Sequence, residues 1–217
     1  MLITVFGATG PTGTLACELA LAAGHRVRAV SRRDGGFPLV ATDALAVVRA
    51  DAVTGEGVRE AVEGVDAVLS VLGASYTRRP VNVYSVGTRN IVEELRDAGR
   101  GNRLVVVSSG LTYPPESGFG FIPDHIIFPL LRNVIGRTLY DDMARMEELL
   151  GRNAEIAWTV MRPGRLFDAS TVSDFRLDPD HPSQGYTSRI DLAAAMIAEL
   201  NAATAHVHQA VAPTTKR

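Results

Sequence analysis

The chain has 217 residues, 46% of them apolar, and a formal net charge of -2 at pH 7. This composition predicts one globular domain over residues 1–217 and gives no basic footprint for nucleic acid. No run approaches the roughly 20 apolar residues of a membrane-spanning helix, and the chain opens on a strand-like run instead of a targeting signal. We therefore expect a cytoplasmic monomer or small homo-oligomer, with no nucleic-acid and no membrane partner.

Short runs rich in Val, Ile and Leu alternate with longer segments of helical periodicity. The predicted strands are LITVF (2–6), RVRAV (26–30), AVV (46–48), AVLSVL (67–72), RLVVVSS (103–109) and AWTVM (157–161). The predicted helices cover 12–23, 55–63, 81–98, 138–151 and 188–200. Strands that are apolar at nearly every position are typical of a parallel sheet covered by helices on both faces. The pattern predicts an α/β fold with a doubly wound parallel sheet in a single domain.

The first predicted strand runs into a glycine-rich turn, GATGPTG, before the first helix. Gly7 ends the strand, Gly10 lets the backbone approach a ligand, and Gly13 lets the helix lie close to the sheet. Amide groups at a helix start favour an anion, so we predict a dinucleotide pyrophosphate there. The other loop residues expected to contact it are Thr9, Pro11, Thr12 and Thr14. An ordinary glycine turn is the alternative, but the position between a strand and a helix favours a nucleotide site.

The end of the second strand discriminates between the two dinucleotides. An NAD site has Asp or Glu here for the ribose 2′-hydroxyl, whereas an NADP site has arginine for the 2′-phosphate. The sequence is AVSRRDG, so Ser31, Arg32 and Arg33 offer a hydroxyl and two guanidinium groups. Asp34, close behind, could still bind a ribose. We predict NADP(H) as the cofactor.

The least regular stretch is LTYPPESGFGFIPDHIIFPLL, residues 111–131. A connection this long in a compact domain is usually functional, so we predict a substrate-side lid or wall. Its aromatic residues Tyr113, Phe119 and Phe121 could form a surface on which a conjugated ring stacks. The alternative is that they pack a small cluster beneath a long loop.

Several segments, taken in order, resemble the atypical short-chain dehydrogenases/reductases that include the flavin reductase/biliverdin reductase B branch and the NmrA-like NAD(P)-binding proteins. The segments are GATGPTG, SRR, RADAVTGEGV, DAVLSVLG, TRNIVEELRDAG, LVVVSSG, EELL, WTVMRPGRL and SRIDLA. The resemblance runs from the first strand to about residue 200. It implies a Rossmann fold that binds NAD(P) and small-molecule substrates.

The resemblance also implies where the cofactor lies. It places Asp51 and Ala52 beside the adenine, Leu72 and Gly73 along the cofactor, and Ser109, Pro163 and Gly164 at the nicotinamide, with Ser108 adjoining. Each residue alone has a structural explanation, as a turn, a strand terminator or a loop hydroxyl. Together they lie at the carboxyl ends of the strands, where open α/β sheets bind ligands. Ser109 is also the candidate for orienting an acceptor by a hydrogen bond.

One departure from the wider family concerns the proton donor. Most short-chain dehydrogenases/reductases pair a tyrosine with a lysine one helical turn later, and the lysine lowers the tyrosine pKa. Here YDDMA places Ala144 where that lysine would stand after Tyr140, and Lys216 is the only lysine in the chain. Asp141 and Asp142 disfavour a tyrosinate further. We expect Tyr140 to be a packing or pocket residue that is dispensable for chemistry.

The missing lysine limits the acceptors that the site is expected to reduce. Reducing an ordinary carbonyl creates a basic alkoxide that needs a positioned proton donor, whereas reduced flavins and quinols are far more acidic. We therefore predict an NADPH-dependent reductase of a flat, conjugated acceptor such as a flavin, a quinone or a linear tetrapyrrole. The alternative is a non-catalytic NADP-binding sensor of the NmrA-like type. A nucleotide-sugar epimerase fits less well, because it too needs the tyrosine and lysine pair.

Other conspicuous residues have structural explanations. Cys17 lies among small and apolar residues, so a core position is expected. Ser188 followed by Asp191 is typical of a helix N-cap, which makes Arg189 and Asp191 structural.

The C-terminal histidines are not expected to bind a metal. His206 and His208 would share one face of a strand, yet no acidic or cysteine ligands accompany them. A terminal edge strand is the expected explanation, and we predict no metal site. The last residues, near 213–217, are expected to form a short flexible tail.

Overall fold

The computed structural model describes residues 1–33, 37–98, 102–114, 119–203 and 205–216. Its strands are β1 (Leu2–Phe6), β2 (Arg26–Ser31), β3 (Leu45–Arg49), β4 (Ala67–Ser70), β5 (Arg103–Val107), β6 (Ala157–Met161), β7 (Arg165–Phe167), β8 (Arg176–Pro179), β9 (Tyr186–Ser188) and β10 (Gln209–Thr214). Its α-helices are α1 (Pro11–Ala22), α2 (Val58–Val62), α3 (Val83–Ala98), α4 (Phe128–Leu130), α5 (Arg137–Gly151) and α6 (Arg189–Ala198). Single π-helical turns, Pro123–Ile127 and Leu131–Ile135, flank α4.

The main sheet has the strand order β3-β2-β1-β4-β5-β6-β10-β8, and β7 pairs with β9 in a separate ribbon. Neighbouring strands from β3 to β10 run parallel, and β8 pairs antiparallel at the edge. The chain moves outward from β1 to β3 and then crosses back to β4, so the order reverses between β1 and β4. Open α/β sheets bind ligands at such a reversal, outside the carboxyl ends of the strands. The predicted doubly wound parallel sheet is confirmed.

Helices cover both faces of the sheet, as its apolar strands require. On one face α1 and α6 pack together through small side chains that include Ala16, Ala20 and Ala195. On the other face α3 and α5 bury larger side chains such as Met146. Cys17 is fully buried in the layer that contains α1 and α6, and this burial raises the pKa of its thiol to about 12. The expected core role of Cys17 is confirmed, because a buried thiol with a raised pKa is inert.

The predicted elements before residue 161 match the observed ones closely, but the later strands differ. The sequence did not predict β7, β8 and β9, and β10 lies inside the sheet between β6 and β8. The expected terminal edge strand carrying His206 and His208 is therefore wrong. Both histidines precede β10: His206 Nδ1 lies 2.6 Å from buried Glu199 Oε1, and His208 Nε2 lies 2.9 Å from the Ile156 carbonyl oxygen.

The expected flexible tail near 213–217 is a second correction. Pro213 and Thr214 belong to β10, and Thr215 is buried, with its Oγ1 donating to Asp191 Oδ2 at 2.5 Å. Arg217 lies outside the described residues. Asp191 also takes part in the cap of α6. Ser188 Oγ accepts a hydrogen bond from Asp191 N at 3.0 Å, which confirms the predicted N-cap.

A buried carboxylate fixes the start of α3. Asp142 on α5 is fully buried, and its Oδ2 accepts hydrogen bonds from Tyr84 N at 2.9 Å and Ser85 N at 3.4 Å. The Ser85 hydroxyl and Arg145 Nη2 donate to its other oxygen. Because the first N–H groups of a helix have no partner within it, this carboxylate satisfies α3 from outside and ties the two helices together.

Replacing Asp142 with alanine should lower the free energy of unfolding by about 1–3 kcal/mol, since buried N–H groups of α3 lose their acceptor. Chemical denaturation followed by circular dichroism measures the change. Glu148→Ala is the matched control on the same helix, because the Glu148 side chain is 60% exposed, and a shift within about 0.5 kcal/mol is expected there. Equal stability of the two variants would show that the carboxylate does not stabilise α3.

Candidate functional site

A large cavity opens at the carboxyl ends of the strands, where the strand order reverses. Its volume is about 1260 Å³, above the roughly 300–1,000 Å³ of typical small-molecule pockets. The cavity extends from the turns after β2 and β3, across the glycine loop after β1, to the segments that follow β5 and β6. It is large enough for a dinucleotide with a second small molecule at one end.

The glycine loop packs so closely that side chains are excluded at two of its glycines. Gly7 has a φ of +76°, and a Cβ there would lie 2.3 Å from the Val71 carbonyl oxygen. A Cβ on Gly13 would lie 2.1 Å from the Gly7 carbonyl oxygen. At Gly10 the nearest atom would be that same oxygen, at 3.3 Å, so this restriction is milder. The packing holds the first turn of α1 against the end of β1.

The N-terminus of α1 has the features of an anion-binding site. Gly10 is its N-cap, no side chain caps it, Pro11 opens the helix and the first turn contains no acidic residue. Thr14, expected to donate to the ligand, instead donates from Oγ1 to the Ala8 carbonyl oxygen at 3.0 Å and so holds the loop. The cavity-lining residues here are Thr9, Gly10, Pro11, Thr12 and Gly13. Uncapped amides and the helix dipole fit a dinucleotide pyrophosphate.

The turn after β2 presents an arginine to the cavity. Arg32 is exposed and lines it, whereas Ser31 and Arg33 do not. Ser31 is buried, and its Oγ donates to the Arg33 carbonyl oxygen at 2.8 Å, so it shapes the turn. Asp34, the alternative ribose ligand, lies outside the described residues. Of the three residues predicted here, Arg32 is therefore the one that lines the cavity.

Asp51 and Ala52, implied to flank the adenine, line the cavity after β3. Asp51 Oδ1 also accepts hydrogen bonds from Val53 N at 2.8 Å and Thr54 N at 3.3 Å, so the carboxylate closes the turn as well. Asn90 Nδ2 on α3 donates to the Ala52 carbonyl oxygen at 2.7 Å. The turn that would contact the adenine is thus held against α3 by a side chain that the sequence analysis missed.

The loop after β4 also lies where the resemblance implies. Leu72 and Gly73 line the cavity. Tyr84 Oη accepts a hydrogen bond from Ala74 N at 3.2 Å, which holds this loop over the start of α3. A Cβ on Gly87 of α3 would lie 2.8 Å from the Leu72 side chain, so the helix approaches the loop closely.

Ser108 and Ser109 follow β5, and both line the cavity. Ser108 Oγ donates to Glu147 Oε1 at 2.5 Å, and Glu147 forms an ion pair of 2.5 Å with Arg162, which follows β6. Ser109 Oγ accepts from Leu111 N at 3.2 Å, and its side chain also interacts with a tyrosine of α5. Ser108 is thus engaged in protein contacts, while Ser109 is placed at the inner end of the cavity.

Pro163 and Gly164 close the same end of the cavity. Gly110 N donates to the Pro163 carbonyl oxygen at 2.9 Å, which joins the loops after β5 and β6. A Cβ on Gly164 would lie 2.4 Å from the Gly185 carbonyl oxygen, so the β7–β9 ribbon packs directly on this backbone. The two residues are held rigidly at the end of the cavity where the resemblance implies the nicotinamide.

Tyr140 on α5 is 2% exposed and lines the cavity beside Ser109. Its Oη lies 2.7 Å from Oη of Tyr76, which is 55% exposed and belongs to the loop after β4. Burial raises the pKa of Tyr140 well above its usual value, and the hydrogen bond with Tyr76 raises it further. The expected pocket position of Tyr140 is confirmed, and its dispensability for chemistry stays a prediction. Tyr76 was missed, because only the folded chain brings it to α5.

The wall segment, residues 119–135, is more helical than the predicted irregular connection over 111–131. From Pro123 to Ile135 it forms α4 and its flanking π turns, with no fully buried residue. Residues 115–118 lie outside the described part of the chain. The cavity-lining residues of the wall segment are Phe119, Pro123, Ile127, Phe128 and Leu131. The segment therefore forms an apolar wall, as predicted, through a helical face.

The aromatic residues that line the cavity differ in part from those predicted to form the stacking surface. Phe119 lines the cavity and meets Phe128 edge to face, with ring centroids 5.3 Å apart. Tyr113 instead lies under the Arg162 guanidinium, whose Cζ is 4.8 Å from the ring centroid. Phe121 is 72% exposed and stacks on His125, with ring centroids 4.7 Å apart. Phe128 lines the cavity, whereas Tyr113 and Phe121 do not.

Among the other charged side chains of the described residues, Arg165 and Arg189 line the cavity. Lys216 pairs with Asp174 at 2.8 Å and does not line the cavity. Arg189 lines one edge and pairs with Asp168 at 2.9 Å. Within the described residues, no cluster of His, Cys, Asp and Glu side chains could hold a metal ion, and no helix has the length and apolarity to cross a membrane.

This sheet order and this glycine loop occur together in dinucleotide-binding proteins. The chain belongs to the NAD(P)H-binding family, whose model matches residues 7–203. The predicted NAD(P)-binding family is thereby confirmed.

Solved structures agree with this assignment of the fold. A Streptococcus pneumoniae protein described as an NADH-flavin reductase is 24% identical over 100% of both chains, with a TM-score of 0.78. A Veillonella parvula short-chain dehydrogenase/reductase in complex with NADP is 16% identical over 99% of this chain and 94% of that chain, with a TM-score of 0.79. A Burkholderia pseudomallei protein described as exported is 23% identical over 99% and 100%, with a TM-score of 0.78.

Gly13→Ala should weaken dinucleotide binding by roughly tenfold or more, the effect of about 1.4 kcal/mol. The new methyl group would collide with the Gly7 carbonyl oxygen and displace α1 from the loop. Calorimetric titration with NADPH measures the affinity, and circular dichroism checks that the variant is folded. Gly151→Ala is the control, since no atom lies within 4 Å of its added Cβ. Equal affinity in the two variants would contradict the assigned loop.

Proposed function

We propose that the protein is an NADPH-dependent oxidoreductase that passes a hydride to a flat, conjugated acceptor of the flavin, quinone or tetrapyrrole type. The observation that carries this proposal is the extension of the cavity beyond the glycine loop, between α5 and the wall segment. Its apolar lining there includes Leu139, Met143, Phe119, Phe128 and Leu131. Apolar and aromatic walls with a few hydroxyls at one end suit a planar ring system.

Arg32 supports NADP(H) as the cofactor. It stands at the position after β2 where NADP-binding Rossmann proteins place an arginine, and it faces the cavity. A guanidinium group matches the geometry of a phosphate with two parallel hydrogen bonds. The uncapped start of α1 would hold the pyrophosphate between this arginine and the acceptor end of the cavity.

The residues at the inner end position and enclose the reactants. Ser109, Pro163 and Gly164 line one end of the cavity. They would bound the nicotinamide there, and the Ser109 hydroxyl would orient the acceptor. When bound, the reduced nicotinamide supplies the hydride. The wall segment and α5 exclude water and hold the acceptor against this end of the cavity, which is the protein's principal contribution to the rate.

A site without lysine suits acceptors of this class. Ala144 stands where a lysine would lower the pKa of Tyr140, and burial instead raises it. Such a site stabilises no tyrosinate, so it suits an acceptor whose reduced form is a weaker base than the alkoxide of an ordinary ketone. Reduced conjugated acceptors carry a less basic charge, so their protonation is easier.

Arg32→Ala should weaken NADPH binding by roughly 10- to 100-fold, the effect of losing hydrogen bonds between charged groups. NADH lacks the 2′-phosphate, so its affinity should change little. Calorimetric titration with each cofactor measures the difference. Arg33→Ala is the matched control because Arg33 does not line the cavity, and the double variant tests both predicted arginines. Equal affinity of the unaltered protein for the two cofactors would contradict the NADP assignment.

The unaltered protein should oxidise NADPH when FMN, menadione or biliverdin is the acceptor. The loss of NADPH absorbance in the steady state measures turnover. Gly13→Ala serves as the control variant and should lose turnover with every acceptor, because it weakens cofactor binding. Tight NADPH binding without turnover of any acceptor would overturn the reductase proposal in favour of the alternative, a non-catalytic NADP-binding sensor.

A further inference from the structure

Two tyrosine hydroxyls meet at the acceptor end of the cavity. Tyr76 Oη and Tyr140 Oη are 2.7 Å apart, and both residues line the cavity. Their rings pack edge to face, with centroids 6.2 Å apart. Gly136 makes this arrangement possible, since a Cβ there would lie 2.4 Å from the Tyr140 ring and 2.7 Å from the Tyr76 ring.

The pair joins solvent to the inner end of the cavity. Tyr140 is 2% exposed and interacts with Ser109, whereas Tyr76 is 55% exposed. A proton released by the inner hydroxyl would therefore be replaced through Tyr76, the residue of the pair that is more than half exposed. Thr138 Oγ1 donates to the Thr77 carbonyl oxygen at 2.9 Å, so the loop that carries Tyr76 is fastened to α5.

We propose that Tyr76 takes over part of the role of the missing lysine, by positioning and reprotonating Tyr140, and that the acceptor is a quinone-type molecule whose ring oxygen contacts the Tyr140 hydroxyl. This inference rests on the proposed function. It assigns Tyr76 as a positioning residue and Tyr140 as the donor that touches the acceptor. It also revises the expectation that Tyr140 is dispensable, because the sequence could not show that Tyr140 has a hydroxyl partner.

The reaction balances with these groups. The hydride would leave with the electron pair of the nicotinamide C4–H bond and form an O–H bond at one quinone oxygen, which would yield NADP⁺ and a hydroquinone anion charged on the other ring oxygen. That oxygen takes the proton of Tyr140 Oη, and Tyr140 Oη takes the proton of Tyr76 Oη. Bulk solvent reprotonates Tyr76 Oη and so supplies the one proton that is consumed. The net change converts a quinone into a hydroquinone, with both tyrosines restored.

The surroundings keep the inner hydroxyl protonated until it is needed. Desolvation and the hydrogen bond with Tyr76 raise the pKa of Tyr140, so it is a donor at neutral pH. The Arg132 guanidinium lies over the ring, with Cζ 5.8 Å from its centroid, and is paired with Asp141 at 2.8 Å. This cation stabilises a phenolate weakly, because its charge is already balanced.

The protonation requirement favours a quinone among the conjugated acceptors. Two-electron reduction of a quinone places its charge on a ring oxygen, where one hydroxyl donor can meet it. The walls around that point are apolar, with Leu139, Met143 and Leu131 lining the cavity. An uncharged bicyclic quinone such as menadione fits this environment without burying a charged group.

Tyr76→Phe and Tyr140→Phe test the inference because both keep the ring and remove only the hydroxyl. With menadione, Tyr76→Phe should lower kcat roughly tenfold, the effect of one lost hydrogen bond, with little change in KM. Tyr140→Phe should lower kcat further, by roughly 100-fold or more, as expected for a lost proton donor. The solvent isotope effect on NADPH oxidation in heavy water should be present in the unaltered protein and smaller in Tyr76→Phe.

A measurement without turnover accompanies the kinetics. Menadione binding to the NADP⁺ complex, followed by calorimetry, should weaken roughly tenfold in Tyr140→Phe through the lost hydrogen bond and less in Tyr76→Phe. NADPH affinity should stay unchanged in both. Tyr113→Phe is the matched control, because Tyr113 does not line the cavity, and its kinetics and binding should match those of the unaltered protein.

The outcomes separate this inference from the proposed function. No turnover with FMN, menadione or biliverdin would overturn the proposed function itself. Turnover with FMN but not menadione would overturn only the quinone assignment. Unchanged kcat and isotope effect in Tyr76→Phe, or equal losses with FMN and menadione, would show that the pair merely shapes the cavity and would overturn its role in proton supply.

Discussion

The whole site depends on one close approach, that of α1 to the loop after β1. Gly13 lies so near the Gly7 carbonyl oxygen that a Cβ would stand 2.1 Å from it, and Gly7 itself has a φ of +76°. This contact puts the uncapped N-terminus of α1 at the reversal of strand order between β1 and β4. The arginine after β2 and the hydroxyls after β5 then lie on opposite sides of one fixed anion site. The cofactor-binding geometry follows from a backbone contact that tolerates no side chain.

Continuous apolar runs made the first part of the fold predictable, since strands buried on both faces need apolar residues throughout. The pattern fails where strands are short and partly exposed. Arg176–Pro179 forms β8 although it carries charged residues, and it pairs only with β10. Proline normally marks an edge strand, yet Pro213 lies within β10, opposite Leu177 of β8. These strands form through tertiary packing, which local periodicity does not encode.

The same distinction holds for the site. The glycine loop and Arg32 were predictable because each follows directly from a strand end. The contact between Tyr76 and Tyr140 joins positions 64 residues apart in the chain, so no local sequence pattern predicts it. Phe128 lines the cavity because α4 turns its side chain toward it. The presence of aromatic residues in the sequence does not show which of them a helix turns inward. Local motifs identified the cofactor end, whereas the acceptor end needed the folded structure.

The missing lysine and the tyrosine pair both bear on the supply of a proton to a hydride acceptor. A tyrosine becomes a readily ionised acid only when a nearby cation stabilises its phenolate. Ala144 supplies no cation, Arg132 is paired with Asp141, and burial raises the pKa of Tyr140. In the proposed relay, Tyr140 donates a proton and Tyr76 replaces it. The fold is shared by many chemistries, so the choice of acceptor follows from these few groups at its inner end.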